Sequence, residues 1–163
     1  MATEVERMAW DDLGCGAREL AERIHADGFM PDVILSIARG GLLVAGALGY
    51  ALGVKNTYTM NVEFYTAPDK RLPAPMILPP VPELVDLSEA KLLIADDVAD
   101  TGRTLALVHD FCAGKVGETR TAVLYEKPQS IVECDYVWRR TDRWIVFPWS
   151  AEAPVGNPLA AAA

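Results

Sequence analysis

The residues that could carry chemistry concentrate in one stretch, Leu92-Leu-Ile-Ala-Asp-Asp-Val-Ala-Asp-Thr-Gly-Arg-Thr104. Its apolar start reads as a buried strand that delivers Asp96 and Asp97 at its carboxyl end, where open α/β sheets bind ligands. Asp100, Thr101, Gly102 and Thr104 then stand at the start of a helix. Free backbone N–H groups at a helix start, beside hydroxyls and a glycine that permits close approach, suit a phosphate. A lone Asp at such a junction serves as a helix cap. Two consecutive acids plus a third exceed what capping needs, because neighbouring carboxylates repel unless a cation or ligand compensates. Carboxylates for adjacent hydroxyls or a hydrated metal, followed by a phosphate cradle, match a ribose 5-phosphate group.

A second loop, Ser36-Ile-Ala-Arg-Gly-Gly-Leu42, also follows a strand and opens a helix. Gly40 and Gly41 let the backbone approach a ligand, and Arg39 offers a planar, permanently charged fork for phosphate. Alone, a Gly-Gly pair before a helix does not separate packing from binding; beside the acidic loop it reads as binding. Further on, Glu126-Lys-Pro128 ends a strand and Trp144-Ile-Val-Phe-Pro-Trp149 follows. Taken alone, the tryptophans would be core or interface aromatics and Lys127 a surface lysine. With both loops in the chain, Lys127 and Trp144 are read as site residues, and Trp149 is left to packing. His25 and His109 read as structural, and Cys112 as a small buried hydrophobe.

Positioning these groups takes alternating helices and strands. Between Trp10 and Asp27, Leu13, Ala17, Leu20 and Ile24 fall on one helical face, with Gly28 as a C-cap and Pro31 as a stop. Val33–Ile37 predicts a buried strand, followed by a small-residue helix to about Leu52 and one or two strands within Asn56–Tyr65. Lys91–Ala95 predicts another strand, Asp96–Gly102 a loop, Arg103 to about Ala113 a helix, and Thr119–Tyr125 a third core strand. Tyr136–Trp138 and Trp144–Phe147 read as late strands. Residues 66–82 hold six of the eleven prolines together with Asp69, Lys70 and Arg71. Repeated proline there predicts a long mobile loop without regular structure, of the kind that serves as a lid. Short apolar strands between helices give an α/β fold with a mostly parallel sheet buried on both faces.

Composition narrows the function classes. A chain of 163 residues with 51% hydrophobic residues makes one domain with a real core. Twenty-three acids against fifteen bases, a net charge of −8, argue against a protein that coats nucleic acid or an anionic membrane. An anionic small molecule would need local positive groups or a metal ion. Cys15, Cys112 and Cys134 are odd in number, widely spaced and without a C-x-x-C pair, which suits a reducing compartment rather than a disulfide framework or zinc site. The N-terminus lacks a cationic region leading into an apolar stretch. The uncharged run from Gly40 to Val54 falls short of the ~20 apolar residues that span a bilayer. The expectation is a cytoplasmic protein with neither membrane nor nucleic-acid partners.

Leu92 to Leu105 resembles the phosphoribosyl-pyrophosphate (PRPP) signature of type I phosphoribosyltransferases: four apolar residues, two acids, then D-T-G-x-T. The K-P … W-I-x-x-P-W arrangement is similar to the xanthine–guanine and hypoxanthine branch of that family, which implies a purine stacked on Trp144, a donor near its 6-oxo group from Lys127 and the ring edge read by the backbone near Ile145. The resemblance spans roughly residues 30 to 150. It implies a three-layer open sheet flanked by helices, with a small hood from about 1–9 and 128–153 and a mobile loop, in one domain over 1–153 followed by a flexible tail, 154–163. It implies that Asp96 and Asp97 hold the ribose 2′ and 3′ hydroxyls directly or through Mg²⁺, as metal ligands in the second case. Ala99, Asp100, Thr101, Gly102, Arg103 and Thr104 would wrap the 5′-phosphate, with Asp100 beneath the reacting sugar or near the base nitrogen. Arg39, Gly40 and Gly41 would form the pyrophosphate loop, entered by a peptide often cis in the family, here Ala38–Arg39. The family's flexible lid often carries a Ser-Tyr pair that this chain lacks; Lys70 and Arg71 are offered for the pyrophosphate instead, and Tyr65 as a cover.

The activity implied is Mg²⁺-dependent transfer of the 5-phosphoribosyl group from PRPP to a 6-oxopurine, with Asp100 as the catalytic residue, in a homodimer or homotetramer. Two alternatives stand beside it. The base could be adenine, orotate or uracil, although Lys127 favours an oxo group and Trp144 a large ring. The domain could also be a PRPP- or nucleotide-sensing regulator without turnover, a class that often presents a basic face, which a charge of −8 disfavours.

Overall fold

The computed structural model describes residues 4–65, 74–78 and 87–156. Among these residues, eight strands and three helices follow in the order β1 (Val5–Arg7), α1 (Trp10–Ala26), β2 (Val33–Ala38), α2 (Gly40–Leu52), β3 (Thr57–Tyr65), β4 (Ala74–Leu78), β5 (Lys91–Ala99), α3 (Arg103–Cys112), β6 (Glu118–Glu126), β7 (Tyr136–Arg140) and β8 (Trp144–Val146). Six strands form one sheet in the order β4-β3-β2-β5-β6-β7, and every neighbouring pair is parallel except β3 with β4. β1 and β8 pair in a separate parallel ribbon, with Val5 opposite Trp144, so segments far apart in the chain meet there.

Period-two alternation sorts the central strands onto two cores. Ile34, Leu93, Ala95, Ala122 and Leu124 pack with Ala17, Leu20 and Ile24 of α1 and Val44 and Leu48 of α2. Leu35, Leu92, Ile94, Val123 and Val137 face the other way onto Leu105, Val108 and Cys112 of α3. Each strand therefore reads as an unbroken apolar run, as a parallel sheet covered on both faces requires. In α1, Gly16 makes room for the Trp138 ring, which lies 2.8 Å from where a Cβ would stand. Cys112 is buried, and burial pushes its thiol up to about 11.

The helices and strands predicted from the sequence form, with two corrections. The segment Asp96–Ala99, read as loop, continues β5, because β6 is long enough to offer ladder partners at Val123, Tyr125 and Glu126. Acidic side chains fit strands poorly on propensity, and a pairing partner overrides it. The Pro-rich stretch is not wholly irregular: Ala74–Leu78 forms β4, antiparallel to β3 with Pro75 opposite Phe64. β4 lies at the sheet edge, where one row of N–H groups has no ladder partner and proline is accommodated. Lys70 and Arg71 lie outside the described residues. No helix among the described residues is long and apolar enough to cross a membrane.

Candidate functional site

β2 and β5 lie side by side, with Ser36 opposite Ala95. Beyond that point β2 turns through a cis Ala38–Arg39 peptide into α2, while β5 runs on into its acids. The start of α2 therefore sits over Asp96 and Asp97. A Cβ on Gly40 would run into the Asp97 carboxylate, and one on Gly41 would stand 2.5 Å from the Ala95 carbonyl oxygen and 3.3 Å from Asp96 Oδ1. Both glycines are thus required for the helix to approach the acids, and Arg39 is exposed where the helix begins.

Asp96 is buried, and its Oδ1 accepts the Asp97 N–H at 2.9 Å. Burial, reinforced by the neighbouring Asp97 charge, holds Asp96 well above the usual carboxylate range. Asp97 is raised too, first by burial, with backbone and side-chain hydrogen bonds pulling the other way. Two adjacent carboxyls in this state favour whatever brings positive charge or hydroxyl donors to them.

After β5 the chain turns through Asp100 and Thr101 to Gly102, whose φ of +76° is a left-handed conformation natural to glycine. A Cβ there would meet Ser130 Oγ at 2.5 Å and the Val132 nitrogen at 2.9 Å. α3 starts at the next residue, and residues Val98 to Leu105 line a cavity of about 240 Å³ at its N-terminus. The cavity sits where helix N–H groups and the dipole favour an anion.

Across this loop lies the chain that leaves β6. Lys127 N–H donates to the Ala99 carbonyl at 2.9 Å, and Ile131 N–H donates to the Thr101 carbonyl at 2.9 Å. The structure thereby brings together three residues singled out in the sequence. Lys127 Nζ stands 3.7 Å from Asp100 Oδ1 and 5.6 Å from the centroid of the Trp144 ring, with only 10% of the Lys127 side chain exposed. Trp144 is 47% exposed. Trp144 N–H donates to the Glu4 carbonyl and the Val146 carbonyl accepts from Met8 N–H, so strand alternation turns the backbone groups of Ile145 to the opposite edge. The Ile145 side chain itself is buried. Trp149 stacks on Phe147 at 4.8 Å and packs against the core.

One residue of the site escaped sequence reasoning. Gln129 Nε2 donates to Asp100 Oδ1 at 2.7 Å. A single Gln two positions after Lys127 gives no signal of its own; only the folded contact between two loops shows it.

Known proteins speak to this geometry. A family model described as the phosphoribosyl transferase domain matches residues 9–154. The chain belongs to that family. A xanthine-guanine phosphoribosyltransferase from Cereibacter sphaeroides is 31% identical over 149 residues, covering 87% of this chain and 84% of that protein. One from Desulfotalea psychrophila is 27% identical, covering 93% and 90%. Among solved structures, a purine phosphoribosyltransferase from Pyrococcus horikoshii is 36% identical with a TM-score of 0.80, covering 92% of this chain and 95% of that one. The chain is thus a phosphoribosyltransferase of the glycosyltransferase type, and its sheet order and flanking helices are those of the type I fold.

Phosphoribosyltransferases generally use Mg²⁺ with PRPP. The donors in this chain suit such an ion: Asp96 and Asp97 carry hard carboxylate oxygens, and burial raises the pKa of both, which a nearby cation would offset. Among the described residues no group of three or more His, Cys, Asp and Glu side chains is gathered into a cage. Mg²⁺ commonly takes one or two carboxylates and completes its shell with water and substrate phosphate.

Proposed function

We propose that this phosphoribosyltransferase moves the 5-phosphoribosyl group of PRPP onto a 6-oxopurine, xanthine, guanine or hypoxanthine, releasing pyrophosphate and a nucleoside 5′-monophosphate. The observation that carries the reading is that Lys127 Nζ stands 3.7 Å from Asp100 Oδ1 and 5.6 Å from the ring centroid of the exposed Trp144, on a chain segment bonded to the Ala99–Thr101 loop. An ammonium beside an aromatic plane offers a purine both a stacking surface and a donor for its 6-oxo group. The names of the relatives from Cereibacter sphaeroides and Pyrococcus horikoshii agree with a purine acceptor.

In this reading the 5′-phosphate sits in the cavity over Thr101–Thr104, held by backbone N–H groups and the hydroxyls of Thr101 and Thr104. Asp96 and Asp97 take the ribose 2′ and 3′ hydroxyls or the hydrated ion. When bound, Mg²⁺ supplies positive charge that offsets the growing charge on pyrophosphate. Arg39 and the backbone N–H groups of Gly40 and Gly41 meet the same leaving group from the side of α2. A purine ring nitrogen forms its bond to the anomeric carbon as the carbon–oxygen bond to pyrophosphate breaks, the bonding pair leaving with the oxygen. The proton of that nitrogen passes to Asp100, which also faces the positive charge that builds on the sugar ring. The Ile145 backbone, turned away from β1, reads the ring edge.

The test is a steady-state assay with PRPP and Mg²⁺ on hypoxanthine, guanine and xanthine. Nucleotide formation that requires both supports the reading, and none with any of the three overturns it.

A further inference from the structure

The chain leaving β6 is laid along the phosphate loop as a strap. Lys127 N–H bonds the Ala99 carbonyl and Ile131 N–H the Thr101 carbonyl, each at 2.9 Å, and Ser130 N–H closes the turn onto the Lys127 carbonyl at 3.0 Å. Ser130 packs against Gly102, which has no side chain to keep it away. Gln129 is therefore carried by backbone bonds on both sides, and its amide reaches Asp100 Oδ1 at 2.7 Å. The same oxygen lies 3.7 Å from Lys127 Nζ, well beyond the 2.7–2.9 Å of a full charge-assisted hydrogen bond. One carboxylate oxygen thus faces two donors, and the neutral amide holds the shorter bond.

We propose that Gln129 is a positioning residue that occupies Asp100 Oδ1 and so keeps the Lys127 ammonium free for the base. A lysine drawn fully onto Asp100 would commit a donor there and swing away from the Trp144 face. An amide suits this role because it donates to the carboxylate without adding charge and offers the lysine no competing anion. The inference rests on the proposed function for the identity of the base, but the geometry of Lys127 is a property of the protein alone.

The test uses Gln129→Met and Gln129→Glu, which keep side-chain length and remove the amide donor. In crystal structures of the substrate-free variants, Lys127 Nζ is expected to close to about 2.8 Å from Asp100 in Q129M and to be drawn between the two carboxylates in Q129E. In kinetics, KM for hypoxanthine rises roughly five- to thirtyfold while KM for PRPP stays within about twofold, and the preference for hypoxanthine over adenine in kcat/KM shrinks. A residue that only holds the loop together would lower turnover on both bases alike and shift both KM values. An unmoved Lys127 in both variants overturns the inference, whatever the assay shows. An inactive wild-type enzyme overturns the proposed function and leaves the lysine position to decide the role of Gln129.

Discussion

Lys127 and Trp144, seventeen positions apart in the chain, place an ammonium 5.6 Å from a ring centroid, and the same nitrogen stands 3.7 Å from Asp100 Oδ1. β6 ends one residue before Lys127, and β8 begins at Trp144. Substituting Lys127 by Met removes the donor and keeps the aliphatic stem against the ring. We expect kcat/KM for 6-oxopurines to fall by about 10²- to 10³-fold, through KM for the base, with adenine affected much less. Trp144→Ala should cost about tenfold or more on every purine, because it removes the stacking surface. Base-dependent initial rates measure both.

The acid pair links function to stability. Asp96 and Asp97 have raised folded pKa values, so the folded protein binds more protons than the unfolded chain across the acid range. Their contribution is favourable below the unfolded carboxylate pKa and is lost as pH rises through the folded values. Asp96→Asn keeps an oxygen for the Asp97 N–H and removes the buried charge. The variant should melt about 2–6 °C higher than wild type near neutral pH, with the gap closing as the buffer is acidified, and its transfer activity should be lost. Differential scanning calorimetry at several pH values checks the sign.

Gly102 combines a left-handed φ with a Cβ direction blocked by Ser130 and Val132. Gly102→Ala should cost about 1–3 kcal/mol of stability from the backbone conformation alone. Relieving the clash pushes the strap off the phosphate loop, so KM for PRPP should rise as well. Urea titration and PRPP-dependent rates read the two effects separately.

Chelation should separate activity from folding. In the proposed reading Asp96 and Asp97 hold the ion, and the two hydrophobic cores that carry the fold are built from other residues. EDTA should reduce transfer by more than about 10²-fold, restored by Mg²⁺, while the melting temperature without substrate stays within about 1 °C.

Much of the local arrangement around the candidate site could be read from the chain because it is written at short range. The acids, the Thr-Gly-x-Thr loop and the Gly-Gly pair each lie within one strand–helix junction, where spacing alone fixes the relation of the groups. The apolar face of α1 was legible for the same reason. What depended on tertiary partners was not. Asp96–Ala99 join β5 because β6 runs beside them, and Pro75 sits in a strand because β3 offers an edge. Gln129 meets Asp100 only because two loops 29 positions apart are laid together. The −8 charge pointed away from nucleic acid, and it could not show how individual groups are arranged: acids under α2, N–H groups at the cavity where α3 begins, and one lysine beside an aromatic ring.

The most direct measurement is relative kcat/KM for six bases, hypoxanthine, guanine, xanthine, adenine, uracil and orotate, with saturating PRPP and Mg²⁺. A site built on Lys127 and Trp144 should use at least one 6-oxopurine about tenfold or more better than adenine and either pyrimidine. Preference for adenine or a pyrimidine, or PRPP binding without nucleotide formation on any base, would contradict it.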